Sequence, residues 1–129
     1  MKKIVVSVQN GLLSEAITGM LNDSGEFSPF RIPVGNRKVN VVENCEMLSA
    51  DILLAEVAYS SGTTVETRLR EAKEVRIRTP RCKIVLLCDE NSAPDIAREV
   101  ILAKRDGVID NFFYSSVTAK YLLAALESL

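Results

Sequence analysis

The sequence predicts an α/β domain built on a doubly wound, five-stranded parallel sheet of order 2-1-3-4-5, with helices on both faces. Three observations carry this expectation. The runs "KKIVVSV", "DILLAEV" and "CKIVLLC" are near-continuous stretches of β-branched residues and leucine, the pattern of parallel strands buried on both faces. Capped helical patterns lie between them, so strands and helices alternate strictly. Two further candidate strands carry residues that suit only the edges of a sheet.

Taken in order, "KKIVVSV" is the first strand. Asn10 caps a helix whose Leu12, Leu13, Ala16, Ile17, Met20 and Leu21 recur at helical spacing, and Gly25 stops it. "FSPFRIPVG" is the second strand; Pro29 and Pro33 place it at an edge, because proline cannot donate to a ladder. A short helix over Val41–Leu48 follows Asn40 and Glu43. "DILLAEV" is the third strand, with Glu56 one place before its end. Thr63 and Glu66 form a capping box for a helix that turns Val65, Leu69 and Ala72 inward and ends before Pro80. After "CKIVLLC", Ser92 and Asp95 cap a fourth helix carrying Ile96, Val100 and Ala103, closed by Gly107. "GVIDNFFY" mixes polar and apolar residues, as the other edge strand would. Ser116 caps a last helix bearing Leu122, Ala125 and Leu126. Right-handed crossovers then give the order 2-1-3-4-5.

The 129 residues read as one domain over 1–129, without linker, repeat or low-complexity tract. A net charge of −1 gives no basic field for nucleic acid or for an anionic membrane surface. No apolar run reaches the roughly 18 residues that a membrane span needs. The N-terminal apolar run is broken by Ser7, Gln9 and Asn10 and lacks a small-residue cleavage site, so it reads as a strand and not a signal peptide. Cys45, Cys82 and Cys88 form no Cys-x-x-Cys pair, and Cys82 and Cys88 sit on one strand, roughly 20 Å apart. Reduced, buried thiols in the cytoplasm are expected.

In such a fold, ligands sit outside the carboxyl ends of the strands, near the switch point between strands one and three. The sequence delivers Val8, Gln9 and Asn10 there from strand one and Glu56 from strand three. Strand four brings Cys88, Asp89 and Glu90, and strand five Phe113, Tyr114 and Ser115. In element order, element length and the "DILLAEV" and "KIVLLC" strands the chain resembles the response-regulator receiver domain, a CheY-like, flavodoxin-like fold. Receivers carry an acidic pair after strand one, a phosphoacceptor aspartate at the end of strand three, Ser or Thr after strand four, and Lys-Pro after strand five. Laid on this chain, the pair falls on Val8 and Gln9, the phosphoacceptor on Glu56, the hydroxyl on Cys88, the lysine on Tyr114 and the proline on Ser115. None keeps the family's residue, so the resemblance is to a degenerate, atypical receiver.

Phosphoryl transfer to a carboxylate needs an in-line nucleophile, Mg²⁺ and a cation on the leaving oxygens. Val8 and Gln9 offer Mg²⁺ no carboxylate, and Tyr114 offers no charge. Glu56 carries its carboxylate roughly 1.5 Å past an aspartate's. Three readings of Glu56 stand: a strand-end carboxylate, solvated or bonded to loop amides; an imitation of a phosphorylated aspartate; or an acid–base group, disfavoured in a chain with no histidine. Cys88 reads as a small buried hydrophobe, since the acids around it would oppose a thiolate. Those acids could gather a cation, but no ligand spacing demands one, and no catalytic residue, metal or cofactor is expected. Tyr114 reads as a packed ring with its hydroxyl at the surface.

"VETRLREAKEVRIRTPRCK" carries Arg68, Arg70, Lys73, Arg76, Arg78, Arg81 and Lys83, interleaved with Glu66, Glu71 and Glu74, and reads as a solvated helix face. No Gly-x-Gly-x-x-Gly or phosphate loop is present. "VQNGLLSE" lacks a Ser/Thr cluster for an FMN phosphate, and strand one lacks the cysteine of phosphocysteine sugar-transport domains. The resemblance implies signal transduction through protein contacts, not enzymatic turnover. Its working surface would be helix four, strand five and helix five, with Ile101, Phe112, Tyr121 and Leu122 as candidates for a partner protein or homodimer. A receiver's last helix ends where Leu129 stands, which fits either a stand-alone module or the regulatory half of a transcription regulator. The competing reading is a small flavodoxin-like enzyme or ligand sensor using a Gln9–Glu56–Cys88 crevice.

Overall fold

Successive side chains of a strand point to opposite faces of its sheet, and here both faces are apolar. The structure, a computed structural model, describes residues 1–32, 40–59, 62–89 and 94–129. Strands β1 (Lys2–Ser7), β2 (Phe27–Arg31), β3 (Ile52–Val57), β4 (Lys83–Cys88) and β5 (Asn111–Tyr114) alternate with helices α1 (Gly11–Ser24), α2 (Val41–Leu48), α3 (Val65–Arg78), α4 (Pro94–Arg105) and α5 (Ala119–Glu127). The strands form one parallel sheet in the predicted order β2-β1-β3-β4-β5. Ile4, Val6, Ile52, Leu54, Val85 and Leu87 pack under Ile17 and Leu21 of α1 and Leu122 and Leu126 of α5. Val5, Leu53, Ala55, Ile84 and Leu86 face the other way, under Val42 and Cys45 of α2, Ala72 and Val75 of α3, and Val100 and Ala103 of α4.

The end signals of the first two helices act as expected. The Asn10 and Asn40 side chains accept the Leu13 and Glu43 amides, each at 3.1 Å. Gly25 ends α1 at φ 72°, a left-handed turn that suits a residue without Cβ. Two caps differ from the expectation. Thr64, not Thr63, caps α3, its hydroxyl accepting Thr67 N–H at 3.3 Å. Thr63 is buried, and its carbonyl accepts Ala58 N–H to close the β3–α3 loop. Thr118, not Ser116, caps α5, because a turn closed by Val117 N–H on the Tyr114 carbonyl precedes the helix. Pro94 opens α4, where a missing N–H costs nothing. Pro33, Glu90 and Ser92 lie outside the described residues.

Pro29 lies on the outermost strand β2, opposite Ile4 of β1. The other edge, β5, is pinned at its entrance by Asp110. The Asp110 carboxylate accepts Ile84 N–H and an Arg76 N–H, both at 2.7 Å, while its own amide donates to the Ile84 carbonyl. Arg76 therefore belongs to a half-buried ion pair and not to the open helix face expected for it. Among the described residues, no helix is long and apolar enough to cross a membrane.

Candidate functional site

The carboxyl edge collects the ends of β1, β3, β4 and β5. Val8 continues β1 and turns its side chain into the core against α1 and α5, which leaves Gln9 exposed at the rim. Glu56 is half-buried at the end of β3, and its Oε1 accepts the Gln9 backbone N–H at 3.0 Å. This contact closes the top of the β1–β3 pair and matches the loop-amide partner considered for a strand-end carboxylate. Cys88 is buried at the end of β4, Asp89 is exposed beside it, and Ser115 donates its amide to the Cys88 carbonyl at 2.8 Å. Tyr114 stands on the rim with its ring edge-on to Phe112.

Beneath this edge lies a group that the helix-face reading misplaced. Arg68 is 2% exposed. Its Nε donates to the Glu56 carbonyl at 2.7 Å, its Nη2 to the Ser7 carbonyl at 2.9 Å, and its Nη1 to Glu71 Oε1 at 3.0 Å. One guanidinium thus joins the ends of β1 and β3 to α3. The planar fork of arginine suits three separate acceptors, as a single ammonium does not. Burial pushes the Glu71 carboxyl above the usual carboxylate range, against the pull of Arg68 and Arg70. The missed signal is a spacing: Val65, Arg68, Ala72 and Val75 recur at three and four residues and form the buried stripe of α3. The charge at Arg68 hid its place in that stripe.

The cysteines are all buried and free. Burial pushes the Cys88 thiol up to about 11. Cys45 and Cys82 share the same core cluster, and the neighbouring Cys82 thiol, together with burial, raises the Cys45 pKa further. Their proximity was invisible in the sequence, where 37 positions separate α2 from the start of β4. With DTNB at pH 8, the native protein is expected to show no thiol reaction and the unfolded chain three equivalents. Partial native labelling would show that the core opens locally.

Among the described residues, no group of three His, Cys, Asp or Glu side chains is placed to hold a metal ion. A groove of about 100 Å³ opens between α1 and α5, lined by Leu13, Ile17, Met20, Leu87, Val117 and Leu122 among others. Its lining takes in none of Gln9, Glu56 and Cys88.

No family model matches the sequence, and no curated protein sequence matches it. Solved structures do match the fold. A DNA-binding response regulator of the LuxR family from Staphylococcus aureus superposes with a TM-score of 0.76 at 11% identity, over 99% of this chain and 98% of that one. The signal receiver domain of the putative response regulator NarL from Mycobacterium tuberculosis gives 0.73 at 17% identity, over 98% and 94%. Chemotaxis protein CheY4 of Vibrio cholerae gives 0.72 at 15% identity, over 99% and 98%. The chain has the receiver fold.

Val8, Gln9, Glu56, Cys88, Tyr114 and Ser115, the residues on which the resemblance lays the receiver's chemistry, come together at one edge of the sheet. Their chemistry does not suit Mg²⁺. A hard cation wants several carboxylate or carbonyl oxygens, whereas Val8 is in the core, Gln9 contributes its amide, and the Ser7 and Glu56 carbonyls already accept from Arg68. On the α4–β5–α5 side, Ile101 of α4 is 51% and Tyr121 of α5 62% exposed, and Leu102 of α4 and Tyr114 of β5 are exposed too. Tyr121 packs edge-on to Phe113. Phe112 is half-buried under the Lys104 ammonium, 5.9 Å from its ring centre. Leu122 is 3% exposed and belongs to the core between α1 and α5. It is therefore a packing residue and not a surface candidate, because the apolar stripe of α5 points it at the sheet.

Proposed function

We propose that this chain is a single receiver-like signalling module, residues 1–129, that acts through protein contacts without an aspartyl-phosphate cycle. The observation that carries this reading is the Glu56 carboxylate held by the Gln9 amide, where a receiver would present a free nucleophile beside a metal-bound acidic pair. Glu56 stands in the phosphoacceptor's place, its longer side chain already turned to a backbone donor. Tyr114 brings no charge to hold leaving oxygens. The module is not an enzyme and works in the cytoplasm. It meets a partner protein or a second copy of itself through Ile101, Leu102, Tyr114 and Tyr121, and it does not contact nucleic acid directly.

The test is a backbone amide NMR titration with Mg²⁺, followed by beryllofluoride. No saturable shifts are expected at Gln9, Glu56, Asp89 or Ser115. Saturable shifts confined to those residues would restore an acyl-phosphate switch and overturn the proposal.

A further inference from the structure

Arg68 is a large, charged side chain in a position that the helix pattern assigns to an apolar one, between Val65 and Ala72. Desolvating a guanidinium is costly unless its donors are satisfied. Here all three nitrogens have partners, and two of those partners are main-chain carbonyls at the ends of different strands. A hydrophobic residue of the same volume would fill the space without making those bonds. The bonds run to Ser7, two residues before Gln9, and to Glu56 itself. They hold from below the same two strand ends that the Glu56–Gln9 contact joins from above.

We propose that Arg68 is the positioning residue of the carboxyl edge. Its guanidinium fixes the ends of β1 and β3 to α3, so that the Glu56 carboxylate meets the Gln9 amide in one geometry. This inference rests on the reading of the edge as a fixed one, and it assigns the fixing to a side chain outside the receiver positions. Glu71, half-buried on the same helix, holds the outer end of the guanidinium. The two ends of the clamp are thus a main-chain pair on the sheet and a carboxylate on α3.

The experiment is ¹⁵N relaxation dispersion on the full chain, which detects microsecond-to-millisecond exchange at single amides. The wild type is expected to give flat profiles at Gln9, Val57 and Ala58. Arg68→Met, which keeps an unbranched apolar stem and removes the donors, is expected to produce exchange at those amides while Leu54 and Leu86 in the central strands stay flat. Arg68→Lys keeps the charge and loses the fork, and is expected to restore the flat profiles only in part. Flat profiles at Gln9 and Val57 in the variants, or exchange spread evenly into the central strands, would overturn the proposal and leave Arg68 a filler of the core. Should Arg68→Met not fold, Arg68→Lys and Glu71→Gln supply the same reading. The wild-type response to Mg²⁺ and beryllofluoride is a separate measurement, so failure of the clamp and failure of the phosphate-free reading are told apart.

Discussion

Leu54→Ala is expected to lower the unfolding free energy by about 3–5 kcal/mol, read from urea denaturation of the two proteins side by side. Leu54 is 0% exposed at the middle of β3, with β1 on one side, β4 on the other, and α1 and α5 above. A cavity there is walled by strands that cannot close on it, so the upper end of the range for a buried leucine applies. A domain of this size is stable by roughly 5–15 kcal/mol, and the variant should sit near the limit of folding. Ile101→Ala on the exposed α4 face is the contrast, expected to change stability by no more than about 0.5 kcal/mol. A large loss there would mean that Ile101 serves the core and not an interface.

The second large effect belongs to Asp110. Its carboxylate is the acceptor for both the Ile84 amide and the Arg76 guanidinium. Asp110→Ala strands a buried main-chain N–H and half-buries an unpaired charge, at a cost of about 2–3 kcal/mol. Both bonds end on one oxygen, so Asp110→Asn can keep that acceptor while losing the charge, and should lose about half as much. The consequence is local as well as global. β5 has only four residues and enters the sheet at Asp110, so the alanine variant should lose amide protection first at Asp110 and Ser115, whose N–H groups donate to the Ile84 and Cys88 carbonyls of β4. If protection there holds while stability falls, the ion pair is not what docks β5. Loosening β5 also moves Tyr114 and the ring contacts around it, which ties this edge to the proposed contact face.

Much of the topology is legible in the sequence because a parallel sheet buried on both faces writes itself as unbroken apolar runs, and proline marks the edge. Asn10, Gly25 and Asn40 act where their chemistry places them. The misplaced caps come from sites with competing hydroxyls. Thr63 and Thr64 are adjacent, and so nearly are Ser116 and Thr118; only the tertiary turn decides which residue begins the helix. The strand ends on which the resemblance was laid could be read from the apolar runs alone. The clamp under them could not, because Arg68 is one of seven basic residues in its stretch, and nothing in a charge pattern says which one has strand-end carbonyls to satisfy it. Leu122 failed for the opposite reason: its apolar character suits an interface as well as a core, and only the position of α1 tells them apart. The neighbouring Cys45 and Cys82 lie on segments that no local pattern relates.

The outer strand has a consequence for how copies of this chain can meet. Ile32 N–H donates inward to the Val6 carbonyl. By strand alternation, residues 28 and 30 also face β1, while 27, 29 and 31 face outward. Pro29 is the middle of that outward row and has no hydrogen to give. A strand arriving from another molecule would find the row of donors broken at its centre, and at the opposite border only the four residues of β5. The sheet therefore ends at its own borders. Crowded copies of this chain have no ribbon to extend, and whatever association they make must be written in side chains.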